Sequence, residues 1–234
     1  MIYMITIIVF RIANLTHSDM EGIMDWVESD THYYHPNIIL YCNRPYVKEG
    51  DTELQDGQTR WKQKMTGRIK AAEMTEDLIK YHNELVKPED TVWHLGDFTF
   101  GGTPEVIRLL RRLNGNYKFI WGNHDKPLRD FSAIIDHYPD IKTRVEFLGN
   151  MIETLIEDKE VTLCHYPMKA WNRSHRSSWS LYGHCHGTLP DDPNSMSFDC
   201  GIDCHNLRPI PFSKVREIMS KKTYKPKDHH GRKT

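Results

Sequence analysis

YKFIWGNHD, residues 117–125, is the stretch on which the fold turns. Tyr117 to Gly122 are rich in aromatic and branched side chains and suit a buried strand. The run breaks at a glycine, and Asn123, His124 and Asp125 follow at once. Gly122 lets the backbone turn sharply and approach a neighbour closely. Apolar strands that end in polar loops are how α/β folds carry their sites, at the carboxyl ends of the strands.

The same pattern recurs along the chain. TVWHLGD (91–97) ends on Gly96-Asp97, EVTLCHYP (160–167) on His165, and WSLYGHCHG (179–187) on His184 and His186. SDTHYYH (29–35) carries Asp30 and His32. In extended chain, residues two apart project to one face. That predicts Asp30 converging with His32, and His184 with His186, with Cys185 on the opposite side; Cys164 is likewise set opposite His165. Singly, each has an ordinary explanation, since an Asp after a strand is commonly a turn or cap residue. Five strand ends, each finishing in a hard or borderline metal ligand, are much harder to attribute to chance.

Between these ends, strands alternate with helices and then run together. IMDWVES (23–29) reads as a first strand. Residues 61–85 read as a helix with Met65, Ile69, Ala72, Met74, Leu78 and Ile79 at helical spacing. Pro104 opens a second helix through EVIRLLRRL, closed by Asn114-Gly115. Residues 143–167 read as three strands with turns at Gly149-Asn150 and Asp158-Lys159, 179–186 and 196–203 as two more, and 211–222 as a closing helix. This pattern predicts an α/β (α+β) sandwich of two mixed sheets flanked by helices. The polar insert 47–64 reads as an exposed loop rather than a lid. Asp25 and Glu28 are awkward in the first strand, where a buried unpaired carboxylate is costly.

The bulk composition narrows the class. The 234 residues carry a formal net charge of -1, which argues against a generic polyanion binder. The basic tail, 221–234, reads as a solvated end. The apolar start MIYMITIIVF is too short to span a bilayer and lacks a basic segment before it, so no membrane association is expected. Five cysteines, an odd number without secreted-scaffold spacing, point to a reducing cytoplasm. A zinc-binding interaction module built on Cys164, Cys185, Cys200 and Cys204 is the reading to set against an enzyme, but Cys200 and Cys204 lack the close Cys-x-x-Cys spacing.

The ordered set DTH, GD, GNHD, HYP and GHCH resembles the calcineurin-like metallophosphoesterase superfamily, over about residues 29–211. HPNIILYCNRPY and the segment from His165 to Gly187 look like the small phosphoesterases of bacteriophages and bacteria. The resemblance implies a four-layer α/β/β/α sandwich over residues 23–220, preceded by an extension, 1–22. That extension either packs as an extra strand or lies before a natural start at Met20 or Met24.

The resemblance also implies two divalent metal ions. Asp30, His32, Asp97 and His186 would hold one, and Asp97, Asn123, His165 and His184 the other, with Asp97 bridging. A hydroxide bridging the two would attack the phosphate in line, with ions roughly 3.5–4 Å apart clamping the attacking and leaving oxygens. The mixed His, Asp and Asn set suits Mn²⁺ first, then Fe²⁺, Zn²⁺ or Ni²⁺, ahead of Ca²⁺. His124 would assist the leaving oxygen, and Asp125 would orient His124 or support the loop. GDFTFGG lacks the longer Gly-Asp-x-x-Asp-Arg-Gly pattern of the protein-phosphatase branch, which argues against a phosphoprotein substrate. His35, Arg44, Asn172 and Arg176 are the candidates for substrate contact, a guanidinium being suited to phosphate. The expected substrate is a small, nucleotide-like phosphate ester, mono or di, with nucleic acid only as a substrate. A catalytically inactive binding protein of the same fold is the second alternative. A bacterial or phage-infected cytoplasm is the expected setting.

Overall fold

The computed structural model describes residues 22–225. Its first half runs β1 (Asp25–Glu28), α1 (Pro36–Tyr41), β2 (Thr52–Gln55), β3 (Gln58–Trp61), α2 (Lys64–Asn83), β4 (Thr91–His94), α3 (Thr103–Arg112) and β5 (Asn116–Ile120). Then come α4 (Lys126–Ser132), α5 (Pro139–Lys142), β6 (Val145–Gly149), β7 (Met151–Ile156), β8 (Lys159–Cys164), β9 (Trp179–Tyr182), β10 (Ser197–Asp199), β11 (Ile210–Pro211) and α6 (Phe212–Met219). One sheet has the order β11-β1-β4-β5-β6, the other β10-β9-β8-β7. Both are mixed. In the first, only β11 runs antiparallel to its neighbour; in the second, only the β7–β8 pair does.

Parallel neighbours need crossover connections, and here helices supply them. Alternate residues of the first sheet face opposite cores. Trp26, Val92 and Phe119 enter one core with Met74, Leu78, Leu109 and Phe131 of the crossover helices. Val27, Trp93 and Ile120 enter a second core, against Leu163, Trp179, Leu181 and Phe198 of the other sheet and Phe212 and Val215 of α6. Burial on both faces explains why the inner strands read as continuous apolar runs. The expected sandwich of two mixed sheets flanked by helices is the fold. Gly149-Asn150 is the point where the chain passes from the first sheet to the second.

Several local expectations need correction. The insert 47–64 holds the β2–β3 hairpin, not a loop: Asp56 and Gly57 at the turn have φ of 51° and 75°. Asp-Gly with both residues left-handed is a favoured two-residue hairpin turn. On α2, Met65 and Ile69 are exposed, while Lys70, Met74, Leu78 and His82 face inward. Gly67 is on that face because the Trp61 ring lies against it; a Cβ there would sit 2.9 Å from the ring carbons.

The awkward carboxylates of β1 have partners. Glu28 Oε2 is 3.3 Å from His82 Nδ1 inside the first core, and Asp25 accepts from Trp93 Nε1 at 2.7 Å. The strand expected over 179–186 ends at Tyr182. The first part of the tail is packed, since Thr223 and Lys225 donate backbone N–H bonds to Pro193 and Asn194. The remainder, and the extension up to residue 21, lie outside the described residues. Among the described residues, no helix is long and apolar enough to cross a membrane.

Candidate metal centre

The loops leaving β1 and β4 run side by side. Asp30 N–H donates to Gly96 O at 2.9 Å, His32 N–H to Asp97 O at 3.0 Å and Tyr33 N–H to Phe98 O at 3.0 Å. Yet this backbone is not extended. Asp30, His32 and Asp97 have φ of 58°, 49° and 58°, and His184 and His186 have 72° and 47°. The argument from strand alternation therefore fails for both Asp30/His32 and His184/His186. Left-handed backbone at a non-glycine residue costs on the order of 1–3 kcal/mol and persists only where its surroundings impose it.

Asp125 is one of the groups that impose it. Its carboxylate accepts from the backbone N–H groups of Gly122 (2.7 Å), Asp97 (2.9 Å) and Phe98 (2.8 Å), tying the β4 and β5 exits together. It is fully buried and supports the loop, rather than orienting the His124 ring. Gly122 is required where these loops meet, because a Cβ there would lie 2.2 Å from Asp97 Oδ1.

Two groups of potential ligands result, Asp30/His32/His186 and Asp97/His165/His184, each with donor atoms within 4.8 Å of one another. Each draws on both sheets: Asp30, His32 and Asp97 follow strands of the first, and His165, His184 and His186 follow strands of the second. Asp97 stands between the groups. Its Oδ1 accepts from His124 N–H at 2.9 Å, and its Oδ2 is 3.6 Å from both His32 Nε2 and His165 Nε2. Asp30 Oδ1 is 3.7 Å from His186 Nε2 and 3.9 Å from His32 Nε2. Asn123 Oδ1 reaches His165 Nε2 at 3.0 Å.

A cation fits this donor set. Asp30 Oδ1 and both His32 ring nitrogens are buried without a hydrogen-bond partner, and such atoms are costly unless something satisfies them. Ligands about 2.0–2.1 Å from one ion lie roughly 3.0–3.4 Å apart, so the observed separations need only slight contraction. Electrostatics point the same way. Burial pushes the Asp30 carboxyl up to about 7, with nearby Asp97 adding to the rise and His186 opposing it. Burial holds His32 well below its ordinary range, aided by His186 and Arg44. A divalent cation reverses this logic by favouring the carboxylate and the neutral imidazole together.

The imidazole nitrogens that face the centre are set from behind. His165 Nδ1 donates to Leu95 O at 2.8 Å, and His186 Nδ1 donates to Asp203 Oδ2 at 2.7 Å. Burial alone would lower the His186 pKa, but hydrogen bonds with Asp203 and Cys42, and then the Asp30 charge, carry it up to about 10. Asp203 is a residue the sequence did not single out. Arg44 holds it with two bonds of 2.8 Å. The remaining Arg44 donors go to Asp30 O, Thr31 O and Met74 Sδ. With all five N–H groups used and the side chain buried, Arg44 supports the centre instead of contacting substrate.

Cys42, not Cys185, is the cysteine that approaches His186 and Asp203. Because Arg44 occupies both Asp203 oxygens, that trio is not a third ion site. Cys164, Cys185, Cys200 and Cys204 join no such group among the described residues.

At the mouth, His124 is exposed, its ring 5.9 Å from His32. His35 lies here, stacked at 3.5 Å on Phe100, whose ring is 4.9 Å from His124. Asn172 does not join them; its amide donates to Glu153 on β7 at 2.7 Å. Arg176 is exposed on the short turn Ser174–Arg176 that follows.

Residues 70–196, over half of the chain, match the calcineurin-like phosphoesterase superfamily domain. The chain is 27% identical over 200 residues to protein MJ1445 of Methanocaldococcus jannaschii, covering 82% of this chain and 89% of that protein. It is 26% identical over 164 residues to the gene 66 protein of Mycobacterium phage D29, covering 61% and 81%. A crystal structure of the protein AQ665 of Aquifex aeolicus shares the fold, with a TM-score of 0.53, 21% identity, and coverage of 84% of this chain and all of that one.

Proposed function

Because the chain belongs to the calcineurin-like phosphoesterase superfamily, whose members are metal-dependent hydrolases, we propose that its two ligand groups hold two divalent ions and hydrolyse a nucleotide-type phosphate ester. The observation that carries this reading is the position of Asp97 Oδ2, 3.6 Å from an imidazole nitrogen of each group. Asp30, His32, Asp97 and His186 hold one ion, and Asp97, Asn123, His165 and His184 the other. Mn²⁺ is the first choice, with Fe²⁺, Zn²⁺ or Ni²⁺ as others compatible with the donors. Bound there, the ions supply a water of lowered pKa and positive charge for the phosphate.

His124 does the proton work. Its backbone is tied to Asp97, so the ring rides on a loop fixed to the centre while its nitrogens remain open to the mouth. A histidine so placed protonates or stabilises the departing oxygen, a role worth about 10²–10⁴ in rate. The exposed ring of Tyr166 beside the centre offers a face to a nucleobase. Five free cysteines accord with a reducing bacterial or phage-infected cytoplasm.

The test pairs metal analysis with hydrolysis of chromogenic mono- and diesters by the metal-loaded protein. Two ions per chain and turnover of at least one ester are expected, with His124→Ala losing turnover but keeping both ions. If the loaded protein hydrolyses neither ester and His124→Ala changes nothing, the chain is an inactive binding protein.

A further inference from the structure

A cavity of about 980 Å³ lies outside the metal centre, between α1, the start of α2 and the β2–β3 hairpin. That is the upper end of the range, about 300–1,000 Å³, of pockets that enclose whole small ligands. Its walls are anchored, because Trp61 donates from Nε1 to Pro36 O at 3.2 Å and rests on Gly67. Arg60, Lys64 and Arg68 line it together with Tyr41 and Trp61, and no carboxylate does. Glu53, opposite Arg60 in the hairpin, is not among the lining residues. Among the described residues, none of the three cations has an ion pair or a side-chain hydrogen bond. Three cations thus share one cleft, with Glu53 as the cross-strand neighbour of Arg60.

Rings connect this cavity to the centre. Tyr41, 72% exposed, stands edge-on to His35 at 6.4 Å. His35 lies flat on Phe100 at 3.5 Å, and Phe100 is 4.9 Å from His124. His124 is the group proposed to face the departing oxygen, so these rings line the way from the leaving-group side of the centre to the cavity.

We propose that the cavity is a subsite for a single-stranded oligonucleotide, binding the portion beyond the scissile phosphate. Successive phosphates pair with Arg60, Lys64 and Arg68, and a base stacks on Tyr41. Cations tracking a backbone beside an exposed aromatic face are the means by which single strands are bound without sequence preference. A mononucleotide held at the centre leaves the three cations unmatched, whereas a short strand uses both regions. The inference rests on the phosphoesterase reading for its direction, since that reading makes the cavity the leaving-group side.

The probe is a fluorescein-labelled thymidine pentanucleotide, followed by anisotropy on the full chain. Tyr41→Ala, and separately the triple change Arg60→Ala, Lys64→Ala and Arg68→Ala, should each weaken binding about tenfold or more. Three phosphate contacts set a slope of log affinity against log salt of about -2 for a single strand, and the triple variant should lose it. The ratio of kcat/KM for an oligonucleotide ester to that for a nitrophenyl ester should fall about tenfold, and thermal midpoints check that the variants fold. Unchanged pentanucleotide affinity and salt slope in the folded triple variant overturn the proposal, as does competition by a mononucleotide as strong as that by the pentanucleotide. Oligonucleotide binding lost in the triple variant, with no ester hydrolysed by the loaded wild type, upholds the subsite and sinks the enzymatic reading instead.

Discussion

Asp203 Oδ2 accepts a 2.7 Å hydrogen bond from His186 Nδ1 while both oxygens of the same carboxylate are gripped by Arg44. The imidazole thereby presents Nε2, 3.7 Å from Asp30 Oδ1, to the centre. Asp203→Asn, which keeps the shape but weakens the acceptor, should lower metal affinity about 10–100-fold. Calorimetric titration with Mn²⁺ checks this, and the expected loss falls on one ion of the two.

Arg44→Ala should act on the fold as well as the centre. It leaves the half-buried Asp203 carboxylate with only its His186 hydrogen bond and frees the carbonyls of Asp30 and Thr31. Breaking a buried pair from one side costs about 3–5 kcal/mol. Denaturant midpoints should fall accordingly, and Arg44→Lys should recover only part of the loss because it lacks the fork.

Gly122→Ala tests the contact between the β4 and β5 exits. The added carbon would lie 2.2 Å from Asp97 Oδ1 and 2.4 Å from Asp97 N. Overpacking of this kind costs about 1–3 kcal/mol, and here the group displaced is the carboxylate that stands between the two ligand groups. Metal content should drop for both ions together, whereas Cys185→Ser should leave two ions bound.

Acidification should weaken the fold through His94, which binds no ion in this scheme. It is fully buried, with Nδ1 accepting from Gly96 N–H and Nε2 3.0 Å from Thr31 Oγ1. Burial lowers its pKa from 6.5 to about 4, with Glu28 and Asp97 partly opposing. Between those values the unfolded chain binds the extra proton, so stability climbs with pH across the window and is lost on descending through it. The full span is worth on the order of 3 kcal/mol. Urea midpoints at about pH 7 and pH 5, with a chelator present, should show His94→Gln without this contribution to the pH dependence, while Asp30, His32 and His186 contribute equally to both proteins.

What was legible in the sequence follows from what is local. Strand ends marked by Gly96, Gly122 and Gly183 announce themselves, and so do the ligand types that follow them. The conformation of those loops is not local: Asp30 and His32 are left-handed because the loop after β1 pairs with the one after β4. Partners far apart in sequence were equally hidden. Glu28 looked unpaired because His82 lies 54 positions away, and Asp203 looked idle because Arg44 lies 159 away. Arg44 itself was read by its chemistry, which suits phosphate, when its burial decides otherwise. The hairpin was different, since Asp56-Gly57 was a plain turn signal inside a segment judged only by its polarity.

Each ligand group takes side chains from both sheets, and this gives the ions a mechanical part to play. An ion bound at that end acts as a rivet across the sandwich, closing the layers where loops rather than apolar side chains face each other. Anything that binds the folded state alone adds stability as RT ln(1 + [L]/Kd), about 2.7 kcal/mol at a hundredfold excess over Kd. Starved of metal, the protein should therefore open first along this seam, with hydrogen exchange rising at the exits of β1, β4, β8 and β9 together. The supply of metal in the cell would then govern how long the molecule survives, apart from whether it turns over substrate.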